Sequence, residues 1–293
     1  MNTNKGFLSL LSCGLILALF GLLVRLLHNF IGNFTQVGMR MLLAGLIVLP
    51  YLFIKKIPLK IDKQKPRLFS ILVISFPLYI LFFTVSINAT KIANSFFYLF
   101  TSTMLTSYVL GYFYFKEKMD FQKILVAILS ITGLLLFMIP SIDSGLIGPV
   151  TGIIGGFLYG ISNTTRKYYV DKINKWVIIF YQMIIGALLI LPIAYFLNEF
   201  GTNNWIFPSI LLITIFGLGL VLIQILLFVG LSNFRLNLGS IVLASQLIFV
   251  LLIAIFVFKE IPTLLEVLGA FFIGISVFLS NIQIKNSTLK VFK

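Results

Sequence analysis

An all-α polytopic membrane protein, its ten transmembrane helices forming two inverted five-helix repeats, is the fold this sequence predicts. Three observations carry the prediction. Hydrophobic residues make up 60% of the 293 and charged residues only 10%, against about 25% charged in a soluble domain. The apolar residues fall in continuous runs, each near the roughly 20 residues that cross a hydrocarbon core of ~30 Å. Finally, Phe113-Tyr-Phe-Lys-Glu117 returns 143 residues later as Phe256-Val-Phe-Lys-Glu260, each copy closing one apolar run shortly before the next begins.

The runs place helices at 7–27, 34–54, 68–88, 92–115, 121–140, 146–166, 175–197, 206–231, 237–258 and 264–284. The first follows Lys5 much as a signal peptide would follow its basic end. It is too long for a signal core, has no convincing small-x-small cleavage site and carries Arg25 near its far end, so it reads as a membrane helix. A transmembrane barrel is excluded, because its strands would alternate apolar and polar residues over segments of about ten. Cys13 is the only cysteine and His28 the only histidine. A disulfide framework and a cysteine metal cluster are therefore excluded, and no cofactor or metal site is expected.

Orientation follows from the short polar connections. With the amino terminus placed in the cytoplasm and sides alternating, every Lys and Arg except Arg25, Arg40, Lys91 and Lys259 lies on the cytoplasmic side. The acidic residues divide evenly, with Asp62, Glu117, Asp120 and Asp171 inside and Asp143, Glu199, Glu260 and Glu266 outside. The formal charge of +14 is thus the excess of basic residues that cytoplasmic loops carry. Nucleic acid is not an expected partner, since its recognition needs a continuous basic face with stacking aromatics. The expected location is a prokaryotic plasma membrane, with both termini cytoplasmic.

The halves, 1–140 and 141–293, match at several runs in the same order. Val48-Leu-Pro50 matches Ile190-Leu-Pro192, Phe20-Gly21 matches Tyr159-Gly160, and Asn94 matches Asn237. Five runs per half is an odd number, so the second half must enter the membrane from the opposite side. Inverted repeats of this kind are common among secondary transporters, whose binding sites lie near the midplane between the halves.

The aromatic-x-aromatic-Lys-Glu endings of the fourth and ninth runs are followed by runs containing Gly133, and Gly269 with Ser276. Together with Arg40-Met-Leu-Leu-Ala44 and Arg166-Lys167, they give a chain that resembles the EamA family of the drug/metabolite transporter superfamily over essentially its whole length. The resemblance implies a permease, often an exporter, of amino acids, other metabolites or drug-like compounds, with a central cavity between the halves.

Polar side chains at mid-membrane depth are functional candidates, because lipid offers them no partner. Thr101-Ser-Thr103 lies at the centre of the fourth run, and the repeat offset aligns Ser102 with Ser245 and Thr103 with Gln246. The expected substrate-binding set is Tyr79, Thr103, Tyr159, Gln224, Gln246 and Arg40. Each has a plainer alternative. Hydroxyls and amides also join membrane helices to one another, the tyrosines also pack, and Arg40, like Arg25, has a stem long enough to snorkel toward headgroups. Thr263-Leu-Leu-Glu266 has the spacing of a capping box, which makes Glu266 a helix cap ahead of a proton site. Asp120 is expected to cap the fifth helix. Gly152, Gly156 and Gly160 share one helix face and are expected to permit close packing.

The expected function is therefore alternating-access transport of a small organic solute, in the direction of export. A flippase for a lipid-linked solute is the alternative. A membrane enzyme acting on lipid carriers is the weakest reading, since the clustered Asp, Glu or His of such chemistry is missing from the runs and no catalytic residue is assigned. Membrane lipid is the surrounding partner, and nothing in the sequence requires a homodimer.

Overall fold

The computed structural model describes residues 3–59, 61, 65–115, 121–141, 145–202, 204–233, 243 and 245–289. Regular structure among these residues is helical throughout: α1 (Thr3–His28), α2 (Asn33–Ile54), α3 (Pro66–Ala89), α4 (Ile92–Phe115), α5 (Phe121–Met138), α6 (Ile147–Tyr169), α7 (Lys175–Phe196), α8 (Phe207–Asn233), α9 (Ser245–Phe256) and α10 (Leu264–Leu289). A short 3-10 turn follows α5 and a four-residue helix, Glu199–Thr202, precedes α8. Each predicted run overlaps a helix, the ninth, expected over 237–258, being described as one from Ser245 to Phe256. The last extends to Leu289, beyond the expected 284. Lys116, Glu117, Asp120 and Asn237, which figured in the expected repeat and cap, lie outside the described residues.

Among the described residues, five helices are long and apolar enough to cross a membrane, namely α1, α2, α3, α7 and α8. The helices richest in hydroxyl, amide and glycine residues, α4 and α6, instead pack extensively against each other, and α6 also packs along α3. Their polar groups consequently meet protein, the setting in which a membrane helix tolerates such residues.

Helix contacts come in pairs related by exchanging the halves. Thus α3 packs along α6 as α1 does along α8, α4 packs on α6 as α9 does on α1, and α3 touches α7 as α8 touches α2. Two further contacts, α2 with α7 and α5 with α10, are their own counterparts.

The expected glycine packing is present. A Cβ on Gly156 would run into the Leu99 carbonyl of α4, one on Gly152 would lie 2.8 Å from Ser86 Oγ and Tyr98 Cβ, and one on Gly160 would lie 2.6 Å from Thr106 Cβ. Gly133 and Gly269 do the same for α5 and α10, where an added Cβ on either would come within 2.8 Å of the other's carbonyl oxygen. Hydroxyls then bridge the close helices, with Ser102 donating to the Ile153 carbonyl at 2.8 Å and Ser86 to that of Gly148 at 2.8 Å.

Candidate functional site

At the bundle's interior, α3 and α6 bring Tyr79 and Tyr159 into a stack with ring centroids 4.3 Å apart. Both rings wall a cavity that Arg40 enters from α2, Gln246 from α9, and Phe20 and Phe216 from α1 and α8. Thr103, Tyr159 and Gln246 line an adjoining space with Asn163. Four of the six expected residues, Arg40, Tyr79, Tyr159 and Gln246, thus meet in one cavity, and Thr103 faces Gln246 across its neighbour, as the repeat offset anticipates. Thr103 also donates to the Leu99 and Gly156 carbonyls at 2.6 and 3.0 Å, so its hydroxyl serves helix packing as well.

Arg40 does not snorkel. It is 2% exposed, its Nη2 donates to Thr84 Oγ1 at 2.6 Å, and its guanidinium carbon lies 4.3 Å from the Phe216 ring centroid. Among the described residues Nε and Nη1 have no acceptor, and neither has Gln246 Oε1 a donor. Such groups are costly in a buried setting, and here they border the same cavity.

Gln224 is placed elsewhere. It accepts from Arg166 Nη2 at 2.7 Å, donates to Gln182 Oε1 at 2.6 Å, and Gln182 donates to the Leu72 carbonyl at 2.9 Å. Arg166 is fully buried, donates also to Asn163 Oδ1 at 3.0 Å, and lies 5.4 Å from the ring centroids of both Phe76 and Phe228. The sequence reading left Arg166 among the cytoplasmic basic residues. Helical side chains lean toward the amino terminus of their helix, so an arginine in the last turn of α6 is directed back into the bundle, and that lean is the signal that would have found it. Gln182, Asn163 and Thr84 were also missed. Gln182 stands at the repeat position of Arg40, 142 residues on. Among the described residues neither buried arginine has a carboxylate partner, the ion pairs being Arg25–Glu260 and Lys91–Glu266.

Those two pairs lie at the predicted outer face, where carboxylates of the second half tie down helices of the first. Glu199 accepts from the Thr35 amide and hydroxyl at 2.7 and 2.9 Å, at the positive end of α2 where backbone N–H groups lack partners. Gly32 makes room, since a Cβ there would collide with the Glu199 carboxyl. Glu260 accepts from the Ile92 amide opening α4 at 3.0 Å and pairs with Arg25 at 3.8 Å. Glu266 forms the expected capping box with Thr263, and also accepts from Lys91 Nζ at 2.8 Å and Asn94 Nδ2 at 2.6 Å. Arg25 additionally donates to the Ile87 and Thr90 carbonyls.

A sequence model of the EamA-like transporter family matches residues 4–139 and again residues 146–282. No curated protein matches the chain. A solved structure described only as "Crystal structure of protein" is similar in fold, with a TM-score of 0.69 at 10% identity over 96% of this chain and 99% of that one.

Proposed function

This chain belongs to the EamA-like transporter family, and on that premise we propose that it exports a small organic solute by alternating access. In this reading ten helices span the membrane as two inverted five-helix units, 1–140 and 141–293, with both termini in the cytoplasm of a prokaryotic cell. The observation that carries the reading is the shared cavity: Arg40 and Tyr79 come from the first unit, Tyr159 and Gln246 from the second. The exchange-related helix contacts support two units moving about that cavity. About 30 Å³ of it is wide enough to admit water, room for one or two waters and far below the roughly 300 Å³ of a ligand pocket. Solute binding therefore requires the units to part, and the second-half carboxylates are the ties that would break on the outer side.

The test is transport by purified protein in liposomes. The solute should move down its gradient chemically unchanged, and Gln246→Ala should slow it while leaving insertion intact. Conversion of the solute, or wild-type rates in that variant, would remove the proposal.

A further inference from the structure

The solute itself has a chemistry that the cavity walls specify. Arg40 is a guanidinium with five N–H donors in a planar fork, enclosed at 2% exposure. Among the described residues only Nη2 has an acceptor, Thr84 Oγ1, while Nε and Nη1 have none. The ring of Phe216 covers the cation, which softens its isolation but supplies no acceptor. With no carboxylate paired to it among the described residues, the cavity carries an unanswered positive charge. Elsewhere on the same wall Gln246 holds the opposite deficit, an acceptor oxygen with no donor among the described residues. The rest of the lining is mostly apolar, built from Phe20, Phe83, Phe216 and the faces of the stacked tyrosines.

We propose that this cavity selects an organic monoanion, whose carboxylate seats on Arg40, whose apolar body lies against Phe20, Phe83 and Phe216, and whose N–H or O–H donor reaches Gln246. The proposal rests on the transporter reading and narrows it. Carboxylate and guanidinium match in both charge and geometry, and their bond gains strength where water is excluded. A cation would meet Arg40 with repulsion, and a neutral solute could accept from an idle nitrogen but would leave the guanidinium charge uncompensated. An anionic lipid headgroup offers the same acceptor chemistry as a free carboxylate, so the membrane composition must separate the two.

The experiment is a binding titration of purified protein in phosphatidylcholine nanodiscs with probes sharing one ring. Phenylacetate should bind at least about tenfold more tightly than phenylacetamide or phenethylamine, the difference expected for one charge-assisted bond. Mandelate, which adds a hydroxyl donor, should bind more tightly than phenylacetate, and Gln246→Leu should erase that gain. Arg40→Gln should abolish the preference for charge, and Arg40→Lys should keep part of it. The comparison of probes on the wild-type protein needs no variant to fold. Equal binding of phenylacetate, phenylacetamide and phenethylamine, no binding of either carboxylate, or an anion preference surviving in Arg40→Gln overturns the proposal. So does a response to phosphatidylglycerol with none to carboxylates in neutral lipid. Carboxylate binding without flux in liposomes would defeat the transporter reading and leave the anion site standing, whereas flux with no charge preference would do the reverse.

Discussion

Removing the Glu266 carboxylate should loosen the predicted outer face by a calculable amount. The side chain is 2% exposed and receives Lys91 Nζ at 2.8 Å, Asn94 Nδ2 at 2.6 Å and the Thr263 amide at 2.6 Å. The Lys91 side chain is 36% exposed, so its share is discounted to the ~0–1 kcal/mol of a surface pair. Asn94, 3% exposed, loses a bond to a charged acceptor worth about 1.5–3 kcal/mol, and the helix start loses about 1 kcal/mol of capping. Glu266→Ala should therefore cost about 3 kcal/mol, and Glu266→Gln, which keeps shape and one acceptor, about 1–2 kcal/mol. Thermal unfolding in a fixed detergent measures this directly. The same loss should expose the cavity that Glu266 shares with Ala254, a residue 1% exposed. In a Cys13→Ser background, Ala254→Cys should react with an impermeant thiol reagent faster once Glu266→Ala is added. Stability within about 0.5 kcal/mol of the parent, the scatter of neutral surface changes, together with unchanged labelling, would refute the reasoning.

Two further expectations concern packing and pH. Gly156→Ala puts a methyl into the Leu99 carbonyl, and since backbone yields poorly, α4 and α6 should separate at a cost of about 1–3 kcal/mol. Gly274→Ala, which meets nothing within 4 Å, is the control, and comparable melting of the two would show the α4–α6 contact is not tight. Burial raises the Glu260 carboxyl above its ordinary range, with Arg25 drawing it part of the way back. A carboxyl raised on folding contributes stability that is present below its unfolded pKa and lost as pH rises through its folded value. The stability of wild type relative to Glu260→Gln should thus fall as pH rises above 4.5, the ordinary value, and a relative gain over that window would contradict it.

The fold was legible because lipid imposes it. Without water to satisfy backbone groups, each crossing must be a continuous apolar helix, and the duplicated Phe-x-Phe-Lys-Glu pattern exposed the pairing of halves. The repeat offset also placed Thr103 opposite Gln246, and depth found Tyr79 and Tyr159. What stayed hidden depends on contacts between residues far apart in the chain. Glu266 displayed its local cap three residues away, yet its partners Lys91 and Asn94 are 175 and 172 residues distant. Gln224 was expected in the cavity by depth alone, but depth does not say which way a side chain turns, and Arg166 claims it. Arg40 looked able to snorkel from the outer end of α2, and only its packing against Phe216 and Thr84 shows that it turns inward.

The most direct test loads liposomes containing the purified protein with a mixed panel of metabolites, carboxylates with their amides among them, and follows internal and external contents by mass spectrometry. The account predicts that an unmodified solute appears outside, and that Gln246→Ala and Arg40→Gln each suppress its exit while reconstituting normally. Exit at wild-type rates in both variants, or appearance of a converted product, would contradict a transport site between the two halves.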